Sequence, residues 1–220
     1  MRATLLLSFA MLSGLLLCGL APGALATGVL ATDFLPQDHG LRYTGREGRT
    51  PVTVEITLRE RLGGRFEYTR WVTPTGWSGW FRKPTRTQAR LQYDDELLTT
   101  LDLNENEARL SLPPGLPPGT LDALSIRLRA RGDIARGVRQ AEYSVWNGGD
   151  DIETWTLSVS GAETVETPDG RYESLRFRLG SEHQWIEGWS TPLLLFHFVK
   201  IVSWQDGRQT GELLLEDKQF

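Results

Sequence analysis

Alternation of apolar and polar residues with a period of two is the feature that most constrains the fold of this chain. In the stretch VTVEITLRE, aliphatic residues occupy every second position, namely Val52, Val54, Ile56 and Leu58. This spacing is typical of a β-strand that buries one face. After the turn RLGG, the run RFEYTRWV returns with a second alternating face, made of Phe66, Tyr68, Arg70 and Val72. The two runs predict a β-hairpin.

Similar runs follow along the rest of the chain. They surround the turn-rich segments NEN (104–106), NGGDD (147–151) and DG (206–207). Roughly ten or eleven short strands joined by local turns are typical of an antiparallel meander. The sequence therefore predicts a fold that is mainly all-β.

One segment departs from the alternation and predicts a short helix. It follows the proline-rich spacer PPGLPPG and reads TLDALSIRLRARGD. Thr120 is a suitable N-cap, and an apolar stripe at helical spacing is formed by Leu121, Leu124 and Leu128. We expect this helix to bury its leucines against the concave side of a curved sheet. Its solvated face would then carry Arg127, Arg129 and Arg131.

Residues 1–26 have the pattern of a cleavable export signal. Arg2 provides a positive charge, an uncharged apolar run follows, and Ala24–Ala26 has the small-x-small pattern of a cleavage site. A retained membrane anchor is the main alternative, because the apolar run approaches the ~20 residues that span a bilayer. Pro22–Gly23 and the cleavage pattern argue against it. Residues 27–220 are then predicted to form a single β domain.

Cys18 is the only cysteine in the chain, and it lies inside the predicted signal. A lipoprotein would need Gly, Ala or Ser before the modified cysteine, and Leu17 at that position argues against one. The exported protein would have no thiol, hence no disulfide and no thiolate metal ligand. We expect it in the periplasm of a Gram-negative bacterium, with no transmembrane span once the signal is removed.

The charge pattern excludes a nucleic-acid partner. The chain has 24 Lys and Arg residues against 28 Asp and Glu residues, a net charge of −4. Acidic and basic residues are interspersed, whereas nucleic-acid-binding proteins concentrate basic residues on one face. Nor does the chain as a whole show the polybasic run of a membrane-surface protein.

Several weak motifs occur in the order found in one known family. They are Tyr93–Asp94, then Asp122, Leu124, Ser125, Leu128 and Arg129, and finally Trp185, Pro192 and Asp206–Gly207. Over about residues 40–217 the chain resembles an exported bacterial family known as domain of unknown function 3108. It departs from that family in lacking a GG entry near the N-terminus and in an extra EGWST after Trp185.

The resemblance implies a strongly curved antiparallel sheet that forms a half-barrel or barrel, with the short helix on its concave side. That architecture is similar to the half-barrels with which lipoprotein carriers hold acyl chains. In the resemblance, Asp122, Leu124, Ser125 and Arg129 are structural residues. The family supplies no catalytic residue and no cofactor.

The segment SEHQWIEGWSTPLLLFHF tests whether a metal or acid/base site is present. On a strand, His183 and Glu187 share a face, but their Cα atoms are roughly 13 Å apart. Two ligands of one zinc ion cannot be so far apart, because Zn–N and Zn–O bonds are about 2 Å long. His197 alternates with phenylalanines on a second run and is expected to be a half-buried strand residue. The sequence predicts no metal ligands and no catalytic residues here.

Tryptophan carries most of the functional signal. The chain has eight, and the candidates for lining an apolar ligand cavity are Trp71, Trp77, Trp80, Trp185 and Trp189. Ordinary packing in the core and at hairpin tips is the alternative for these rings. The leading hypothesis is therefore a non-enzymatic exported protein that binds a lipid or other apolar envelope ligand.

Two other functions stay open at this point. One is an envelope scaffold or assembly partner that docks through a sheet edge or the aromatic loop. The other is a carboxylate-based hydrolase, which would place two acidic groups about 5–10 Å apart in a cleft.

Overall fold

A computed structural model describes residues 38–94, 97–106, 108–110, 113, 115–147 and 151–220. The predicted export signal, with Cys18, lies outside the described residues. Within them, no helix has both the length and the apolar composition needed to cross a bilayer.

The described part of the chain forms thirteen strands and one α-helix. The strands are β1 (His39–Glu47), β2 (Thr50–Arg61), β3 (Arg65–Pro74), β4 (Thr85–Asp94), β5 (Leu97–Glu105), β6 (Ala108–Leu110), β7 (Leu121–Asp122), β8 (Gln140–Trp146), β9 (Ile152–Thr167), β10 (Gly170–Gly180), β11 (Gln184–Ser190), β12 (Phe198–Gln205) and β13 (Arg208–Gln219). The helix α1 comprises Ile126–Ala135 and lies between β7 and β8 in the sequence.

All thirteen strands belong to one sheet, in the order β6-β5-β4-β3-β2-β1-β13-β12-β11-β10-β9-β8-β7. Neighbouring strands are antiparallel except β7 and β8, which are parallel. Each half of the chain is a meander of consecutive strands, and the pairing of β1 with β13 joins the halves at the middle of the sheet. The predicted antiparallel meander is confirmed.

The two ends of the sheet curve towards each other until β5 and β7 meet. The backbone N–H of Thr100 donates to the carbonyl oxygen of Thr120 (3.3 Å), and the Thr100 hydroxyl donates to Oδ2 of Asp122 (2.8 Å). We call this contact the seam. Between the described residues of β5 and β7 there is no strand pairing, so the sheet stays open. The prediction of a strongly curved, barrel-like sheet is confirmed.

The core fills the concave side of the sheet. The alternating faces predicted for the first hairpin point to this side, and their buried members are Val52, Val54, Ile56, Leu58, Phe66, Tyr68 and Val72. Arg70 occupies the same alternating positions on β3 and is half-buried.

Helix α1 begins later than the sequence predicts. The hydroxyl of Thr120 donates to the carbonyl oxygen of Pro117 (2.8 Å) and does not cap a helix. Residues Leu121–Asp122 form strand β7, and the helix starts only after Ser125. The predicted start is wrong because β8 provides backbone partners for β7, and a periodicity of leucines does not reveal such partners.

The expectation that the α1 arginines are solvated is also wrong. Residues 130–134 are all buried, and five consecutive residues at about 100° spacing cover the whole circumference of a helix. This part of the helix is therefore enclosed on all sides, within the curve of the sheet. Arg131 is only 6% exposed, Arg127 is partly buried, and Nε of Arg129 donates to Oδ2 of Asp133 (3.2 Å).

The strand predicted to contain His197 begins one residue after it. The segment Pro192–Leu194 is a 3-10 turn, and Leu195 and Phe196 have positive φ angles of 49° and 62°. These left-handed residues interrupt the alternation, so that β12 starts at Phe198. His197 is buried rather than half-buried.

Candidate functional site

A cleft of about 300 Å³ opens between the N-terminal turn of α1 and strands β3, β4 and β5. Its apolar wall is formed mainly by Leu103, Leu110, Leu124 and Trp146. Its cationic lining consists of Arg70 and Arg127. A cleft with apolar walls and a few polar groups is the usual form of a small-molecule site.

The arginines reach the interior from two elements. Arg70 alternates in step with the buried Tyr68 on β3, so its side chain extends to the concave side. Arg127 and Arg131 are four residues apart on α1 and therefore share one face of the helix. Both lie within electrostatic range of Tyr68 and of Tyr43 on β1.

Burial changes the pKa values of these arginines and of the tyrosines beside them. Burial lowers the pKa of Arg127, and the neighbouring Arg70 cation lowers it further. Burial also lowers the pKa of Arg131 to about 10, so this side chain is still a cation at neutral pH. Burial raises the pKa of both Tyr43 and Tyr68. The phenols are therefore neutral and do not compensate the positive charge.

The positive charge is incompletely paired within the described residues. Nη2 of Arg70 donates to Glu47, but Arg127 and Arg131 form no ion pair with a described carboxylate. Three buried nitrogens have no hydrogen-bond acceptor there, namely Nε of Arg70, Nη1 of Arg127 and Nε of Arg131. Burying a charged group without a partner costs several kcal/mol. Arg70 and Arg127, which line the cleft, therefore each keep one buried donor that no described protein group satisfies.

Two carboxylates also line the cleft. The Asp122 carboxylate is occupied by protein donors, among them the Thr100 hydroxyl at 2.8 Å. Glu105 is exposed at the end of β5. With Arg70 and Arg127 on one side and an apolar wall on the other, the cleft suits a ligand with an acidic head and a hydrocarbon part.

The motif residues Asp122, Leu124, Ser125 and Arg129 lie at the start of α1, beside this cleft. Oδ1 of Asp122 accepts from the backbone N–H groups of Leu124 (2.8 Å) and Ser125 (3.0 Å). Ser125 is the N-cap residue and is fully buried. Arg129, one turn later, binds Asp133. The Asp122 carboxylate thus fixes the turn that leads into the helix, and it satisfies the N–H of the N-cap residue, which has no partner within the helix.

Three of the five tryptophans predicted to bind ligand lie on the outer face of the sheet. Trp71 alternates with the buried Val72 on β3. Trp185 and Trp189 alternate with Ile186 on β11 and share a face as the sequence predicts, and Trp189 is itself only 6% exposed. None of the three lines the cleft. A ligand-binding role for them stays a prediction.

Trp77 and Trp80 lie in the 3-10 turn Gly76–Trp80, which follows β3. Each is 84% exposed, and the two rings are stacked with centroids 6.3 Å apart. They do not line the cleft either. A ligand-binding role for this pair also stays a prediction.

The His183–Glu187 stretch contacts two different partners. Nδ1 of His183 is 3.5 Å from Oδ1 of Asp206, and Oε2 of Glu187 is 3.2 Å from Nη2 of Arg176. His183 lies in the turn before β11, whereas Glu187 lies within that strand. In the part of the chain that the structure describes, no three His, Asp or Glu residues are grouped as metal ligands.

Of the motif residues that the sequence patterns single out, Asp122 and Leu124 line the cleft, but none of the five candidate tryptophans does. A signal for Arg70 was present, because this charged residue occupies a position on an apolar alternating face. Arg127 gave the opposite signal, since it lies on the polar side of an apparently amphipathic helix. Trp146 had no distinguishing signal, because its neighbours form an ordinary strand before NGGDD.

Comparisons with known proteins bear on the fold. No family model and no curated protein sequence matches the chain, so membership of domain family 3108 is not confirmed. Among solved structures, the chain is similar to a β-barrel-like protein of domain of unknown function DUF1849 from Brucella abortus. The identity is 8%, the TM-score is 0.51, and the match covers 83% of this chain and 97% of that chain. The fold is β-barrel-like.

Two further solved structures match more weakly. One is a candidate lipoprotein from Parabacteroides distasonis, with 10% identity, a TM-score of 0.37 and coverage of 84% of this chain and 96% of that one. The other is a candidate exported protein with a YmcC-like fold from Bacteroides fragilis, with 11% identity, a TM-score of 0.30 and coverage of 83% and 94%. Similarity at these TM-scores carries no argument about function.

Proposed function

We propose that this protein is a non-enzymatic, exported binding protein that holds an amphipathic acyl ligand by its acidic head. The observation that carries the proposal is the pair Arg70 and Arg127, which line the cleft and each keep one buried nitrogen that has no acceptor among the described residues. An anionic head bound there accepts charge-assisted hydrogen bonds, which are about twice as strong as neutral ones.

The cleft also provides for the hydrocarbon part of such a ligand. The buried Leu124 and Trp146 lie in the same wall as the half-buried Leu110. Apolar surface that moves from water to this wall contributes about 25 cal/mol per Å². A carboxylate head and a phosphate head share the chemistry that the arginines recognise, so the proposal covers both.

Ligand titration tests the proposal. The probe is dansyl-labelled undecanoic acid, and palmitate, hexadecyl phosphate and hexadecanol serve as competitors with one chain length and three heads. We expect both anions to displace the probe and the alcohol to compete poorly. Their relative strength decides between carboxylate and phosphate. Equal competition by hexadecanol contradicts a role for the arginines.

Variants locate the binding to the cleft. Arg127→Gln and Arg70→Gln should each lower the affinity for the dansyl probe about 10-fold or more. The reason is that a hydrogen bond to a charged group contributes about 1.5–3 kcal/mol. Arg171→Gln on β10 removes an exposed arginine away from the cleft and serves as the matched control. Unchanged affinity in both cleft variants, with an unchanged thermal midpoint, contradicts the proposal.

Export is part of the same proposal and has its own test. Expression of the full gene in a Gram-negative host, followed by N-terminal sequencing of the periplasmic fraction, should give a chain that begins at Thr27, after Ala26. A chain that keeps Met1 and sediments with membranes contradicts cleavage and supports a retained anchor. Neither result depends on ligand binding.

A further inference from the structure

A second feature, outside the cleft, concerns the turn between β3 and β4. We call residues 76–83 the aromatic tip. Within it, Trp77 and Trp80 are each 84% exposed and Phe81 is 83% exposed. Single exposed apolar residues are common on monomeric proteins, but a contiguous group of large ones marks an interaction surface.

The backbone of the aromatic tip holds these rings away from the protein. Gly76 has a φ angle of +61°, and a Cβ on Gly79 would lie 2.7 Å from the carbonyl oxygen of Pro74, so that glycine is needed at both positions. In a 3-10 helix, side chains three residues apart are eclipsed. The turn therefore presents Trp77 and Trp80 side by side.

The aromatic tip lies in the most basic part of the chain. Residues 68–93 contain no acidic residue and five basic ones, namely Arg70, Arg82, Lys83, Arg86 and Arg90. Arg70 and Arg90 are paired with Glu47 and Asp102 of other strands. Arg82, Lys83 and Arg86 are exposed next to the rings. The whole chain carries a net charge of −4, so its average composition conceals this local excess.

We propose that the aromatic tip docks the protein onto an anionic lipid bilayer. Tryptophan is enriched at membrane–water interfaces, where the ring meets the acyl boundary and the N–H meets the headgroups. Basic residues beside the rings are attracted to anionic lipids. The exposed Arg82, Lys83 and Arg86 are thus complementary in charge to such a surface.

The position of the aromatic tip relates this docking to the cleft. Arg70 and Thr87 pair across β3 and β4, and both line the cleft. Four residues of strand, or roughly 13 Å, lead from Arg70 to Pro74 at the base of the tip. A docked molecule therefore holds the cleft close to the bilayer, although docking itself does not require that the cleft bind a lipid.

Vesicle sedimentation tests the proposal on the full chain. The vesicles are phosphatidylcholine with about one third phosphatidylglycerol, and phosphatidylcholine alone serves as the neutral surface. Trp77→Ser/Trp80→Ser should weaken binding to the anionic vesicles about 10-fold or more. Arg82→Gln/Lys83→Gln should weaken it on the order of fivefold per charge at low salt, with little effect on the neutral vesicles.

Matched controls remove exposed side chains elsewhere. Leu193→Ser replaces an apolar residue that is 73% exposed, and Arg208→Gln replaces an exposed cation. Neither should change vesicle binding. Equal losses in the control and tip variants overturn the proposal, because binding would then not depend on the tip. All substituted side chains are exposed, and the thermal midpoint checks that each variant folds.

Quenching by a labelled lipid measures directly whether the tryptophans of the aromatic tip contact the bilayer. It does so whatever the N-terminal segment contributes to sedimentation. Brominated phosphatidylglycerol should quench part of the tryptophan fluorescence of the parent and a smaller part in Trp77→Phe/Trp80→Phe. The same quenched fraction in both overturns the proposal. A second outcome also overturns it. If the parent self-associates, and Trp77→Ser/Trp80→Ser abolishes self-association without affecting vesicle binding, the partner of the aromatic tip is a second copy of the protein.

The two proposals fail separately. The cleft variant Arg127→Gln should bind vesicles as the parent does, and Trp77→Ser/Trp80→Ser should bind dansyl-labelled undecanoic acid as the parent does.

Discussion

At the scale of single residues, His197 is held neutral by what surrounds it. Burial lowers the pKa of His197 well below its usual value, and Arg131 and then His39 lower it further. Nη1 of Arg131 lies 2.6 Å from Nε2 of His197, and because arginine only donates, the ring nitrogen must accept. The His39 ring lies edge-on at a centroid distance of 4.3 Å, and the Phe220 ring lies at 5.5 Å.

This environment makes the stability of the protein depend on pH. Below about pH 6.5 the unfolded chain protonates at His197, whereas the folded chain does not. The unfolded state then binds more protons, so this contribution to stability is fully present above the unfolded pKa and is lost as the pH falls below it. We expect the free energy of unfolding to fall by up to ~1.4 kcal/mol per pH unit in this range.

Urea denaturation at several pH values, in the parent and two variants, measures this effect. His197→Gln keeps an acceptor for Arg131 but does not titrate, so its stability should fall less steeply below about pH 6.5. His183→Gln replaces a histidine whose side chain is 81% exposed and is the matched control. A slope in His197→Gln identical to that of the parent contradicts the assignment.

Residues differ in how well the sequence predicts their environment. Arg70 could be assigned to the concave face, because its strand neighbours fix the alternation. Trp71 could be assigned to the opposite face by the same rule. Arg131 could not be assigned, because its burial depends on a sheet that closes around the helix through contacts distant in sequence.

At the scale of secondary structure elements, the packing of β10 on β11 depends on one glycine. Phe177 and Gly188 are opposite each other in the register, and a Cβ on Gly188 would lie 2.1 Å from Cζ of Phe177. The ring of Phe177 is buried and contacts that of Phe198, with centroids 4.6 Å apart. The missing side chain on β11 therefore provides the space that this aromatic pair fills.

Gly188→Ala should destabilise the protein by about 1–3 kcal/mol, because the added methyl displaces a buried ring. Gly161→Ala on β9 is the matched control, since a Cβ at that position would have no neighbour within 4 Å. Phe177→Leu in the Gly188→Ala background should recover part of the loss by making room. Urea denaturation measures all three. Equal stability of the two alanine variants contradicts this account.

Strands and helix differ in how far local pattern determines them. The hairpin of β2 and β3 follows from alternation and a tight turn, and both are local, so the sequence predicts it correctly. The start of α1 is not local. Leu121–Asp122 joins the sheet because β8, further along the chain and beyond the helix, supplies the hydrogen-bond partners. Helical periodicity in that segment is outweighed by these distant contacts.

At the scale of the whole molecule, the seam determines whether the sheet encloses α1. The order of strands within each half follows from consecutive hairpins and is predictable. The approach of β5 to β7 is not, because it depends on the accumulated curvature of thirteen strands. Thr100 and Asp122 make this contact through side chains as well as backbone, and Asp122 also fixes the start of the helix.

Thr100→Val tests the seam because it keeps the shape of the side chain and removes its hydroxyl. Oδ2 of the buried Asp122 then loses its donor and the Asp122 N–H loses its acceptor, which should cost about 1–3 kcal/mol. Thr154→Val, at an exposed position on β9, is the control.

Hydrogen exchange distinguishes an opened seam from general weakening. If the seam encloses α1, the amides of β7, β8 and α1 should lose protection in Thr100→Val, whereas those of β1 and β13 at the middle of the sheet should keep it. A uniform loss across all strands would mean that Thr100 contributes only to global stability. A loss of protection confined to β7, β8 and α1 would also mean that the arginines of α1 become exposed to solvent. Thr100→Val should then also lower the affinity of the cleft for dansyl-labelled undecanoic acid.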